Sequence, residues 1–126
     1  VDEARMWERK TRAHAHGTEA IKMAIRAGVA SVEHGSLIDA EGIELMKSRG
    51  TYLVADIYND DYIVSEFEKL GFPPAVIEKE KLVGRRQREN FRKAVEAFDK
   101  ALALAPEDVT AICNRGQALF MPDVRQ

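Results

Sequence analysis

The sequence predicts an α/β fold: a three-stranded parallel sheet ordered as in the chain, covering helices, and a C-terminal helical hairpin. Three observations carry this reading. Short runs rich in β-formers alternate with segments of helical periodicity as far as residue 58, giving the order β, α, β, α, β. The first two runs are separated by one helical segment, and a right-handed crossover between parallel strands is the common way to build such a unit. From Tyr62 onward only helical periodicity remains.

Taken in order, residues 1–10 form a short helix in which Met6 and Trp7 cover the sheet. Residues 11–16 are the first strand. Thr18 caps the next helix, whose apolar positions Ile21, Ala24 and Ile25 recur at helical spacing and which stops at Gly28. Residues 29–34 are the second strand. Asp39 caps a helix carrying Ile43, Leu45 and Met46, with Lys47 and Arg49 in its last turn and Gly50 as its stop. Residues 51–58 form the third strand, and Asn59, Asp60 and Asp61 end it. The stripe Ile63, Phe67, Leu70 marks a helix closed by Gly71. Pro73 and Pro74 then start a long helix reaching Ala105. Its apolar stripe, begun by Val76, Ile77 and Val83, lapses over residues 84–90, so that segment is expected to bridge solvent or bend. The stripe resumes at Phe91, Val95, Phe98 and Leu102. Pro106 ends the helix and Asp108 starts another, with Val109, Ile112, Leu119 and Phe120 inside.

Composition narrows the function. A chain of 126 residues with 45% hydrophobic and 32% charged residues has the balance of one soluble domain, too short for most metabolic enzymes built on large barrels. A net charge of -2 gives no reason to expect nucleic acid or membrane partners. The basic cluster Arg85, Arg86, Arg88, Arg92 and Lys93 is interrupted by Glu89 and has no aromatic platform, so it reads as a solvated helix face. No apolar run approaches a membrane span and no signal-peptide pattern opens the chain. Cys113, alone, allows no intramolecular disulfide and fits a reducing cytoplasm; it reads as packing.

The chemistry-bearing residues are the histidines. All three fall at the ends of the first two strands, in His14-Ala15-His16-Gly17 and Glu33-His34-Gly35. Residues two apart on a strand share a face, so His14 and His16 point the same way, and His34 joins them from the neighbouring strand. Three imidazoles therefore meet at one sheet edge.

These same residues carry a resemblance. Ala13-His14-Ala15-His16-Gly17-Thr18-Glu19-Ala20-Ile21, followed by Ala24-Ile25-Arg26-Ala27-Gly28-Val29-Ala30-Ser31-Val32-Glu33-His34-Gly35-Ser36-Leu37-Ile38-Asp39, resembles the metal-dependent amidohydrolase superfamily. The branch is that of the Xaa-Pro and Xaa-Arg dipeptidases or carboxypeptidases related to imidazolonepropionase. The similarity continues through Gly50-Thr51-Tyr52-Leu53-Val54 and on to about Val95. It implies a β/α-barrel fragment, with residues 11–16, 30–34 and 51–57 as the fifth to seventh strands and the site on their carboxyl rim. By that resemblance His14 and His34 are metal ligands, with zinc the expected ion; His16 faces the substrate region and is a candidate third ligand. Asp56 and Tyr58 face the substrate from the seventh strand. The first-strand H-x-H pair and the fourth-strand lysine would precede Val1. Where the eighth-strand aspartate is expected, the chain reads Glu96-Ala97-Phe98-Asp99.

A second resemblance lies downstream. Ala94, Phe98, Ala101 and Pro106, then Asn114, Gly116, Ala118 and Phe120, resemble the spacing of a tetratricopeptide repeat. The expected organisation is thus an amidohydrolase-like part over 1–90 and a tetratricopeptide-like hairpin over 91–126, packed together as one domain. The functional expectation is a non-catalytic scaffold, a truncated or engineered chimera that binds zinc weakly. The alternatives are a zinc-dependent hydrolase of peptide or amide bonds and a repeat-type interaction module. A barrel fragment exposes sheet edges and a former interior face, to which Ala13, Val32 and Leu53 or Val54 are assigned. That face is expected to be covered by a homodimer partner or by the C-terminal hairpin.

Overall fold

The computed structural model describes residues 1–55, 59–108 and 111. The elements are α1 (Asp2–Met6), β1 (Arg12–Ala15), α2 (Thr18–Ala27), β2 (Ser31–His34), α3 (Ala40–Arg49), β3 (Tyr52–Val54), α4 (Asn59–Lys69) and α5 (Pro74–Leu104). The strands form one parallel sheet in the order β1-β2-β3, as the alternation of periods predicts. Helix stops at Gly28, Gly50 and Gly71 all take left-handed φ, the conformation that costs glycine least.

Register sorts the sheet into two unlike faces. Ala13, Val32 and Leu53 are aligned across the three strands and share one face, while His14, Glu33 and Val54 share the other. The first face is packed: Val32, Leu53 and Ala15 join Ile21 and Ile25 of α2, Ile43 and Met46 of α3, and Phe91, Ala94 and Phe98 of α5 in a single core. The second face is open, with Arg12, His14 and Val54 exposed and Ser31, Glu33 and Tyr52 half-buried. This corrects the expectation for Ala13, Val32 and Leu53, which lie under helices; only Val54 belongs to the open face. Nor does α5 fold over that face. Its second half lies beside α3, because Phe91, Ala94 and Phe98 bury more apolar surface there than a face of arginine, histidine and glutamate offers.

Other details depart from expectation. Trp7 and Met6 are exposed, since α1 is a single turn with no buried residue and reaches the rest of the fold through Arg5, which lies over Gly28. Thr18 is the first residue of α2 and does not cap it. Gly17 holds the cap position, and the Thr18 hydroxyl donates instead to the Leu37 carbonyl at 2.7 Å. Asp39 does cap α3, accepting from the Gly42 N–H at 2.8 Å. Asn59, Asp60 and Asp61 open α4, where carboxylates favour the helix N-terminus.

The apolar gap in α5 is neither solvent-bridging nor a break, for the helix runs unbroken from Pro74 to Leu104, across residues 90 and 91. Gly84 and Gln87 are buried, and Arg88 grips the buried Asp60 with both contacts under 3 Å. Of the basic cluster, Arg85, Arg86, Arg92 and Lys93 are exposed as expected, and Arg88 departs by pairing with Asp60. Asp56, Tyr58, Val109, Ile112, Cys113, Asn114, Gly116, Ala118, Leu119 and Phe120 lie outside the described residues. No helix among the described residues is long and apolar enough to cross a membrane.

Candidate functional site

The candidate site forms where β1 and β2 end. Parallel pairing aligns Ala15 with His34, and the backbone continues the contact beyond the strands: Gly35 N–H donates to the Ala15 carbonyl at 3.1 Å and Leu37 N–H to the His16 carbonyl at 2.9 Å. His34 occupies the position where strand geometry stops. Its φ is +68°, a left-handed conformation rare for residues other than glycine but more accessible to histidine than to most. Alternation alone would send the His34 ring to the helix side with Ala15. The left-handed turn carries it instead to the open-face side, where it meets His14.

The rings are arranged unequally. His14 Nδ1 lies 2.8 Å from His34 Nε2, one ring donating its N–H to the lone pair of the other. His16 Nδ1 lies 2.9 Å from the Ser36 hydroxyl, and its ring stacks on His34 with centroids 4.4 Å apart and planes 14° from parallel. The structure thus brings His14 and His34 nitrogens together and turns the His16 Nδ1 toward Ser36. Behind them α5 supplies two amides the sequence reading passed over: Gln87 approaches the His34 carbonyl at 3.5 Å and Asn90 the Ser36 carbonyl at 3.4 Å. The signal for them was the apolar gap at residues 84–90, where polar side chains replace the stripe because they face strand-end carbonyls.

Flanking this edge is an ion cluster that ties α2 to α3. The Lys22 stem is buried while its ammonium meets Glu19 at 2.8 Å, Glu41 at 2.8 Å and Asp39 at 3.2 Å. Hydrogen bonds donated by the Lys22 ammonium to Glu19 and Glu41 raise its pKa well above the ordinary value, against the opposing effect of burial. Burial by itself would raise the Asp39 carboxyl, but the Gly42 N–H and the Lys22 ammonium outweigh it and hold Asp39 below the usual range.

The model of the amidohydrolase family matches residues 1–119. The chain belongs to the amidohydrolase family. Ochratoxinase of Aspergillus niger is 47% identical over 55 residues, which are 44% of this chain and 12% of that protein. Among solved structures, a Xaa-Pro dipeptidase with bound methionine in its active site is 41% identical over 76% of this chain, with a TM-score of 0.65. The A. niger ochratoxinase structure is 31% identical over 77%, with a TM-score of 0.70. A prolidase complexed with N-methylphosphonate-L-proline is 32% identical over 77%, with a TM-score of 0.68. The chain spans 24%, 22% and 24% of those three proteins. Its three parallel strands and covering helices match part of the amidohydrolase barrel.

The family assignment corrects the downstream reading. The amidohydrolase match runs to residue 119, over nearly all of the stretch that resembles a tetratricopeptide repeat, so that resemblance finds no support. Amidohydrolases are typically metal-dependent, and the histidine pair can be tested for fit. Two nitrogen ligands of a tetrahedral zinc stand about 3.3 Å apart. The observed 2.8 Å between His14 Nδ1 and His34 Nε2 is close to that spacing. The pair fits two corners of such a site. Among the described residues no group of three or more histidine, cysteine, aspartate or glutamate side chains could hold a metal ion.

Proposed function

We propose that the chain corresponds to strands five to seven of a metal-dependent amidohydrolase barrel, in which His14 and His34 are two of the metal ligands, and that residues 1–126 by themselves are a non-catalytic scaffold carrying this half-site. The observation that supports the reading is the convergence of His14 Nδ1 and His34 Nε2 at 2.8 Å, achieved by a left-handed residue at the strand end. Uncommon backbone conformations of this kind cluster at sites that hold ligands.

When bound in such a site, zinc polarises a carbonyl and makes its water a nucleophile near neutral pH. Peptide or amide bonds are the substrate class supported by the Xaa-Pro dipeptidase and prolidase relatives. In this chain His14 and His34 would hold the ion, His16, anchored on Ser36, stacks on the His34 ring, and Gln87 steadies the His34 carbonyl. A catalytic zinc normally has three protein ligands and an open fourth position, so two described ligands support binding and not turnover.

Zinc titration at neutral pH, read by equilibrium dialysis, tests this together with a Xaa-Pro dipeptide hydrolysis assay. Expected are zinc binding that is lost in both His14→Ala and His34→Ala, and no cleavage above buffer. Zinc binding unchanged in both variants would sink the half-site. Zinc-dependent cleavage lost in both would overturn the scaffold reading.

A further inference from the structure

We propose that His16 is a positioning residue for the metal ligand His34, and that Ser36 sets it in that role: the Ser36 hydroxyl fixes the His16 ring, and the His16 ring fixes the plane of His34. The inference rests on the half-site reading above and deepens it by giving the third histidine of the rim a task other than ligation.

Ring planes separate the two tasks. The lone pair of an imidazole nitrogen lies in the plane of its ring. The rings of His16 and His34 are stacked, 14° from parallel with centroids 4.4 Å apart, so their lone pairs run alongside one another and do not meet at one ion. His14 differs. Its ring is tilted 47° to that of His34, and its Nδ1 lies 2.8 Å from His34 Nε2. In keeping with this, the three histidines do not make a metal-holding group among the described residues.

Ser36 is a fixed point for the exposed His16 ring. The residue is 2% exposed, and its hydroxyl meets His16 Nδ1 at 2.9 Å. Backbone bonds clamp it on both sides, from Gly35 N–H to the Ala15 carbonyl and from Leu37 N–H to the His16 carbonyl, and the Asn90 amide of α5 donates to the Ser36 carbonyl at 3.4 Å. His34 is the ring that gains from this anchor. With φ at +68° it has left strand alternation, so the sheet does not set its direction, and the stack on His16 does. Partners that orient a ligating histidine without touching the metal raise the affinity of the site.

Zinc affinity by equilibrium dialysis, combined with proton NMR of the histidine rings in the zinc-free protein, tests the assignment in the whole chain. Ser36→Ala and His16→Ala are each expected to weaken zinc binding about tenfold, and the double variant no more than either alone, because both act through one contact. His16→Phe keeps a ring face and removes both nitrogens, so it should lose less affinity than His16→Ala. In zinc-free Ser36→Ala the upfield shift that a stacked ring gives the His34 ring protons should shrink while the backbone amide signals of the core stay in place. Should Ser36→Ala fail to fold, the two substitutions of the exposed His16 decide the question. Zinc binding lost in His14→Ala and His34→Ala but unchanged in Ser36→Ala and His16→Ala would overturn the positioning role and leave the half-site standing. Equal loss in His16→Phe and His16→Ala would make His16 a ligand and refute the assignment. A wild-type chain that binds no zinc would sink both readings.

Discussion

Gly84 offers a test in which local and tertiary effects have opposite signs. It lies inside α5, where replacing glycine by alanine ordinarily stabilises a helix by about 1 kcal/mol. Here the added Cβ would overlap the carboxylate of Asp60 and come within 2.7 Å of its Cβ. Overpacking of this kind costs about 1–3 kcal/mol. The displaced group is also half of a charge pair: the Asp60 side chain is 5% exposed and Arg88 holds it at 2.7 and 2.8 Å. Breaking a fully buried pair costs about 3–5 kcal/mol, but Arg88 keeps contact with water and Asp60 is moved, not removed, so roughly half that applies. Subtracting the helix gain leaves a net destabilisation of about 1.5–4.5 kcal/mol for Gly84→Ala. Urea unfolding followed by far-UV circular dichroism should show a lower midpoint at unchanged slope. In the double variant with Asp60→Ala the two costs should overlap, giving a coupling of at least about 1 kcal/mol. A stabilisation of about 1 kcal/mol by Gly84→Ala, the intrinsic helix effect alone, would refute the packing argument.

Two further outcomes follow from the α2–α3 ion cluster. Asp39→Ala should cost about 1 kcal/mol through loss of the α3 cap, measured by urea unfolding near neutral pH. Because the folded state holds the Asp39 carboxyl below its unfolded value, this contribution is complete above the ordinary carboxylate range and disappears as pH falls through it. The difference between wild type and Asp39→Ala should therefore shrink between about pH 5 and pH 3, and a gap that widens on acidification would contradict the assignment. Lys22→Met keeps the buried stem but leaves Glu19, Asp39 and Glu41 facing one another, so Tm should fall at low salt and partly recover at high salt; a salt-independent Tm equal to wild type would count against the cluster.

How much was legible beforehand depends on the range over which each signal acts. Element types, the helix stops and the Asp39 cap could be read because they are properties of a few adjacent residues. The histidine edge could be read because strand pairing in sequence order brings positions 14 and 34 together whatever the rest of the chain does. Thr18 was misassigned because a hydroxyl at a helix start has two possible acceptors or donors nearby, and only the folded chain places the Leu37 carbonyl within its reach. The polar gap in α5 was visible, but its meaning lay in Asp60 and the strand-end carbonyls, which are far away in sequence.

The sequence by itself therefore determined the βαβαβ order, the parallel sheet, the placement of His14 and His34 at one rim, and the family, since these follow from local periodicity and from residue text. Only the tertiary structure decided what covers each face of the sheet. Alternation sets the apolar Ala13, Val32 and Leu53 against His14, Glu33 and Val54, but whether helices or another surface meet the apolar set depends on where α2, α3 and α5 dock. It also decided the direction of His34. A residue that leaves strand conformation with φ of +68° no longer obeys the period of two, and no pattern in the neighbouring letters announces that turn.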